Sequence, residues 1–243
     1  VVLPDKLVES RTEYNALTPT QKALVYNYSD LLDAEASKVD TLISAIGTVE
    51  YTEASKAKIE AARAAYNELE ADAKDTVKNL EVLTDAENEY NTLKTKAIND
   101  AKDAISAIGT VVYTDESKAK IDAARKAFDA VLAADQSLVT NKQTILDAEA
   151  AYAALEADHK AAKDVDDLIG AIGEVAYTAE SKGKIDAARE AYGKLTDGQK
   201  LLVTKLDTLV AAENLYGEVD ALATKINAIP SPLVIADATQ TAI

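Results

Sequence analysis

The chain repeats itself. Three segments align residue for residue: AIGTVEYTEASKAKIEAARAAY over 45–66, AIGTVVYTDESKAKIDAARKAF over 107–128 and AIGEVAYTAESKGKIDAAREAY over 171–192. Their glycines, Gly47, Gly109 and Gly173, stand 62 and 64 residues apart. A repeat of this kind means one supersecondary unit built several times, each burying its apolar face partly against its neighbours. Partial copies stand at both ends: ESRTEYNALTPTQKALV over 9–25 matches the second half of a repeat, and INAIPSPLVIADATQTAI over 226–243 matches the beginning of one, with Pro230 in the glycine's place. The expected organisation is a partial repeat over 1–36, full repeats over 37–97, 98–160 and 161–218, and a second partial repeat over 219–243.

Composition narrows what the unit is. The chain is 48% hydrophobic but only 5% aromatic, with no Trp and one Phe, so its core is Ala, Leu, Val and Ile. Such side chains suit closely packed helices, whereas eight Gly and four Pro are too few for a sandwich or barrel full of tight turns. The absence of Cys excludes disulfides, thiol catalysis and Cys-based zinc sites, and one His leaves little for a triad or metal cluster. A net charge of −16 repels phosphate backbones and argues against nucleic-acid binding. No apolar run approaches membrane-spanning length.

Each repeat reads as three helices. Ile59, Ala62, Tyr66 and Leu69 step by three and four residues, an apolar stripe on one helical face. Thr52, Thr114 and Thr178 precede this second helix as N-caps, with Glu53, Asp115, Glu116 and Glu180 in its first turn, where acids suit the helix dipole. The helix ends near Leu69, Val131 or Leu195. In two copies the following turn opens on a capping box, Thr18 with Gln21 and Thr196 with Gln199, and Pro19 takes the first helical position. Residues 84–108 and 145–169 contain neither Gly nor Pro. Each is read as one long helix, shared between a repeat and the next, that stops at the repeat glycine as a C′ residue with positive φ. The expected fold is therefore all-α: an elongated tandem array of spectrin-like three-helix bundles joined by shared long helices.

The four arginines, Arg11, Arg63, Arg125 and Arg189, all fall at one repeat position. Each stands three residues before Tyr14, Tyr66, Phe128 or Tyr192, and 24 residues before Glu35, Glu87, Glu149 or Glu213. The other 22 cations are Lys. Arg offers a planar fork for a carboxylate and a flat face for a ring, so the spacing predicts an Arg–Glu tie between second and third helices beside the aromatic residue. A ligand-binding arginine is the lesser reading.

Tyr66, Tyr90, Tyr152, Tyr192 and Tyr216 lie on helical stripes and read as core, with hydroxyls at the rim. Tyr51, Tyr113 and Tyr177, four residues after each glycine, read as caps on the bundle end, with partner contact as the sharper alternative. His159 has polar neighbours and no partner at metal spacing, and reads as a solvated surface residue. Asp164, Asp166 and Asp167 match no calcium loop and read as a charged helix face. Asn27, Tyr28 and Ser29 form a glycosylation sequon. No phosphate loop, nucleophile elbow or carboxylate cleft is present, so neither a catalytic residue, a metal site nor a cofactor is assigned.

The pattern AIGxVxYTxESKxKIDAARxAY, followed by LTxxQKxLV and a DAExxY-like helix, resembles the tandem three-helix modules of bacterial, Gram-positive-type cell-surface proteins: adhesins, S-layer-like proteins and large secreted glycosidases. The resemblance implies an extracellular location and a structural role as stalk, spacer or assembly segment, with neighbouring repeats or head-to-tail copies of itself as partners. An adhesin-type module gripping a host protein or glycan is the alternative. It supplies no catalytic residues. The incomplete end repeats leave Leu7, Tyr14 and Leu17 at one end, and Val219, Leu222, Ile226 and Ile229 at the other, expected to face water. Excision from a longer array or completion by a second copy would each account for them.

Overall fold

The computed structural model describes residues 4–229. Among these there is no strand. Eleven α-helices follow one another: α1 (Pro4–Ala16), α2 (Pro19–Lys22), α3 (Tyr28–Ser44), α4 (Glu53–Glu68), α5 (Ala71–Lys74), α6 (Leu80–Ser106), α7 (Asp115–Asp129), α8 (Gln143–Gly170), α9 (Ala179–Lys194), α10 (Asp197–Lys200) and α11 (Leu206–Asn227). A 3₁₀ turn, Gln136–Leu138, takes the place between α7 and α8 that α2, α5 and α10 take elsewhere. The chain divides into two compact units: Val1–Thr110 with Asp115–Ala148, and Val111–Thr114 with Glu149–Ile243.

The local signals account for the elements. Thr52 and Thr178 hold extended backbone and accept the N–H of Ser55 and Ser181, as N-caps do. Thr18 and Thr196 each form the reciprocal capping box with Gln21 and Gln199, and Pro19 opens α2. The long stretches free of Gly and Pro are single helices of 27 and 28 residues, α6 and α8. The glycines differ in detail from the C′ expectation. Ala45 and Ala107 cap α3 and α6 in right-handed conformation, and Gly47 and Gly109 turn the chain two residues later at φ 68° and 65°. Gly173 does the same at 66°.

In the first unit, α3, α4 and α6 close around Val39, Ile43, Ile46, Ile59, Ala62, Leu83 and Ala86. In the second, α8, α9 and α11 close around Val165, Ile169, Ile172, Ile185, Ala188, Leu209 and Ala212. The two sets occupy the same register relative to Gly47 and Gly173. Alanine at the tightest points, Ala62 and Ala188 at 0% exposure, lets helix axes approach closely. Lysines line the outside in i, i+4 pairs, such as Lys118–Asp122 and Lys182–Asp186. Exposed pairs of this kind contribute a few tenths of a kcal/mol each.

Candidate functional site

The polar residues that sequence spacing singled out converge on helix contacts. Arg63 in α4 grips Glu87 in α6 with both prongs, Nε to Oε1 and Nη2 to Oε2 at 2.6 Å each. Arg189 holds Glu213 in the same way. Arg11 donates from Nε to Glu35 at 2.9 Å and from Nη2 to its second oxygen. Three of the predicted ties are thus formed with the bidentate geometry that distinguishes Arg from Lys. The carboxylate partner holds each guanidinium pKa above its ordinary value. Arg125 lies over Phe128 at 5.8 Å and within 3.9 Å of Asp129, and Glu149 is half-buried in α8; their mutual tie remains an expectation of the spacing. Arg63 and Arg189 also lie over Tyr66 and Tyr192, at 5.4 Å. Arg11 departs from this pattern: it lies over Tyr28, because Tyr14 is engaged in a 3.8 Å parallel stack on that same ring.

A second set of anchors was not foreseen. Asp166, expected on a charged face, is buried; its carboxylate accepts the N–H groups of Thr204 and Lys205 and the Thr204 hydroxyl. Burial pushes its pKa up, but these bonds outweigh it and hold the carboxyl below its usual range. The acid thereby caps α11 from a neighbouring helix, where Lys205 itself supplies no side-chain cap. Asp40 does the same for Lys78 and Asn79 at the start of α6. Both acids stand seven residues before a repeat glycine, and that shared offset was the available signal. Lys102 occupies the place in the middle repeat, and there the amide of Asn141 donates to its backbone carbonyl at 3.0 Å. Asp164 and Asp167 do lie outside, paired with Lys160 and Lys163.

The loop tyrosines differ among themselves. Tyr51 packs at the edge of the first core, donates to Asp135 Oδ2 at 2.9 Å and accepts the Leu132 N–H at 3.2 Å. Lys94 pairs with the other oxygen of Asp135, which is buried. Burial, aided by the bond to Asp135, raises the Tyr51 hydroxyl to about 12. Tyr28 forms an analogous bond to Asp72. Tyr113 and Tyr177 keep nearly half their surface exposed, at 41% and 49%. Tyr177 donates to Asp220 at 2.7 Å, and Tyr113 stacks on His159 at 4.1 Å. His159 is therefore a half-buried ring partner, not the solvated residue expected from its polar sequence neighbours.

Two open grooves run beside the ties: one of about 630 Å³ past Arg63, Glu87 and Tyr90, and one of about 510 Å³ past Arg189, Glu213 and Tyr216. Their charged groups are already spent on one another. Among the described residues no cluster of three His, Asp or Glu side chains could hold a metal ion, and no helix is long and apolar enough to cross a membrane. The Pro230, Ser231 and Pro232 insertion, and the start of a second helix expected beyond it, lie outside the described residues. Comparison with protein-family models, curated proteins and solved structures finds no match.

Proposed function

We propose that the chain is a structural spacer: a tandem array of spectrin-like three-helix bundles joined by shared long helices, acting as a stalk or assembly segment of a bacterial cell-surface protein. One observation carries this reading. The same core register, the same Arg–Glu tie and the same helix-capping acid recur at matching positions, 126 residues apart, in Arg63–Glu87 with Asp40 and Arg189–Glu213 with Asp166. Polar side chains in each copy are used to hold helices, which is what a load-transmitting unit needs and what a catalytic unit spares residues from. A lone unit of this size buries only about 60% of its unfolded surface, and stacking on neighbours supplies the rest. The −16 charge keeps a crowded array soluble, and the lack of Cys removes an oxidation hazard outside the cell. The surface location rests on the resemblance of the repeat motif.

The adhesin reading is favoured by one feature, the exposed rings of Tyr113 and Tyr177. Surface-immobilised chain presented with host matrix proteins and glycans separates the two. A spacer gives no saturable binding. Saturable binding that disappears in a Tyr113→Ala, Tyr177→Ala double variant would replace the spacer with an adhesin.

A further inference from the structure

The core register repeats four times, but at one occurrence its two halves lie at opposite ends of the chain. Counting back from each repeat glycine, positions four and eight residues earlier and the position just before it carry Ile43, Val39 and Ile46, then Ile105, Ala101 and Ile108, then Ile169, Val165 and Ile172; none is more than 4% exposed. Counted from Pro230, the same positions are Ile226, Leu222 and Ile229, exposed by 56%, 59% and 53%. With Val219, at 38%, they form an apolar stripe along the last turns of α11 that nothing covers among the described residues.

The complement of this stripe lies on α1 and α3. Relative to the arginine tie, Leu7 matches Ile59, Ile121 and Ile185; Ser10 matches Ala62, Ala124 and Ala188; Leu31 matches Leu83, Ile145 and Leu209; Ala34 matches Ala86, Ala148 and Ala212. Each matched residue is at most 6% exposed, whereas Leu7, Leu31 and Ala34 are only half-buried and Ser10 is exposed. All four line a cavity of about 420 Å³ between α1 and α3, floored by Tyr14 and Tyr28. In both complete cores these positions pack against the helix that carries the stripe residues.

We infer that a second copy of this chain fills that cavity, laying its α11 stripe between α1 and α3 so that Leu222, Ile226 and Ile229 meet Leu7, Leu31 and Ala34. The register seen in Val39, Ile43, Ile46, Ile59, Leu83 and Ala86 specifies which side chains face each other. The contact is heterologous: one copy donates a helix and accepts another, so it propagates from chain to chain or closes as a ring. This inference rests on the repeat reading proposed above and names the partner of its exposed ends.

Two exposed-face variants of the full chain test it, because neither alters a buried site: Leu7→Asp spoils the acceptor, and Ile226→Asp spoils the donor. Sedimentation velocity should show the unsubstituted chain growing in mass with concentration, and each variant alone staying at the 25.8 kDa monomer. An equimolar mixture of the two variants should form a capped species of twice that mass, since one intact donor and one intact acceptor remain. An unsubstituted chain that stays monomeric at every concentration overturns the inference, as does a mixture that stays monomeric or variants that assemble unimpaired. None of these results bears on the shape of the single chain, on which the spacer reading depends.

Discussion

Arg63 and Lys182 are both cations on the second helix of a repeat, yet only one holds the structure together. Arg63 and Glu87 keep about 28% and 29% of their side chains exposed and meet bidentately, while Lys182 and Asp186 sit on an open face. Arg63→Ala strands a half-buried carboxylate, with an expected cost of about 1–3 kcal/mol. Lys182→Ala should cost less than about 0.5 kcal/mol. Denaturant titration of both variants checks this, and equal effects would remove the tie from the account. Tyr51 and Asp135 set the pH limits. The folded state favours the neutral phenol, so its contribution is full below pH 10.0 and is lost as pH rises toward about 12. Asp135 runs the other way: burial raises its pKa, but Lys94 and Tyr51 leave it below 3.8, so its contribution is full above that value and is lost as pH falls further. Thermal melts across pH should show a plateau between these limits, and Tyr51→Phe should flatten the alkaline flank while lowering the plateau by about 1 kcal/mol.

At the scale of the element, stops and caps decide where helices turn. Gly109 holds φ 65° with open space where a Cβ would stand, so Gly109→Ala incurs backbone strain alone, about 1–2 kcal/mol. Asp166→Ala removes the cap of α11 supplied from another helix and should cost about 1–3 kcal/mol, with amide exchange accelerating first at Thr204 and Lys205. Asp164→Ala, on the exposed face, should leave that exchange unchanged. The same contrast explains what could be read from the sequence. Helices, N-caps and the arginine ties were legible because they depend on local spacing or on a fixed 24-residue offset within a repeat. The roles of Asp166, Asp135 and His159 were not, because their partners Thr204, Tyr51 and Tyr113 lie 38 to 84 residues away, and only packing brings them together. The one-turn helices α2, α5 and α10 were foreseen only as turns. Four residues can close a single helical turn, too few for an amphipathic period to register.

At the scale of the whole molecule, the account makes the chain a stiff array, and stiffness comes from helices with no break rather than from any single bond. α6 and α8 run 27 and 28 residues without a proline, and a helix rises about 1.5 Å per residue, which sets roughly 35–45 Å for each repeat. Neighbouring units so joined stabilise one another in sequence, and weakening one core residue should be felt by the units beside it. The most direct measurement is small-angle X-ray scattering from the dilute chain, at concentrations where it is monomeric. The array predicts a rod-like distance distribution with a maximum well over about 100 Å. A radius of gyration near 18 Å, as expected for about 243 residues folded into a single globule, would contradict it.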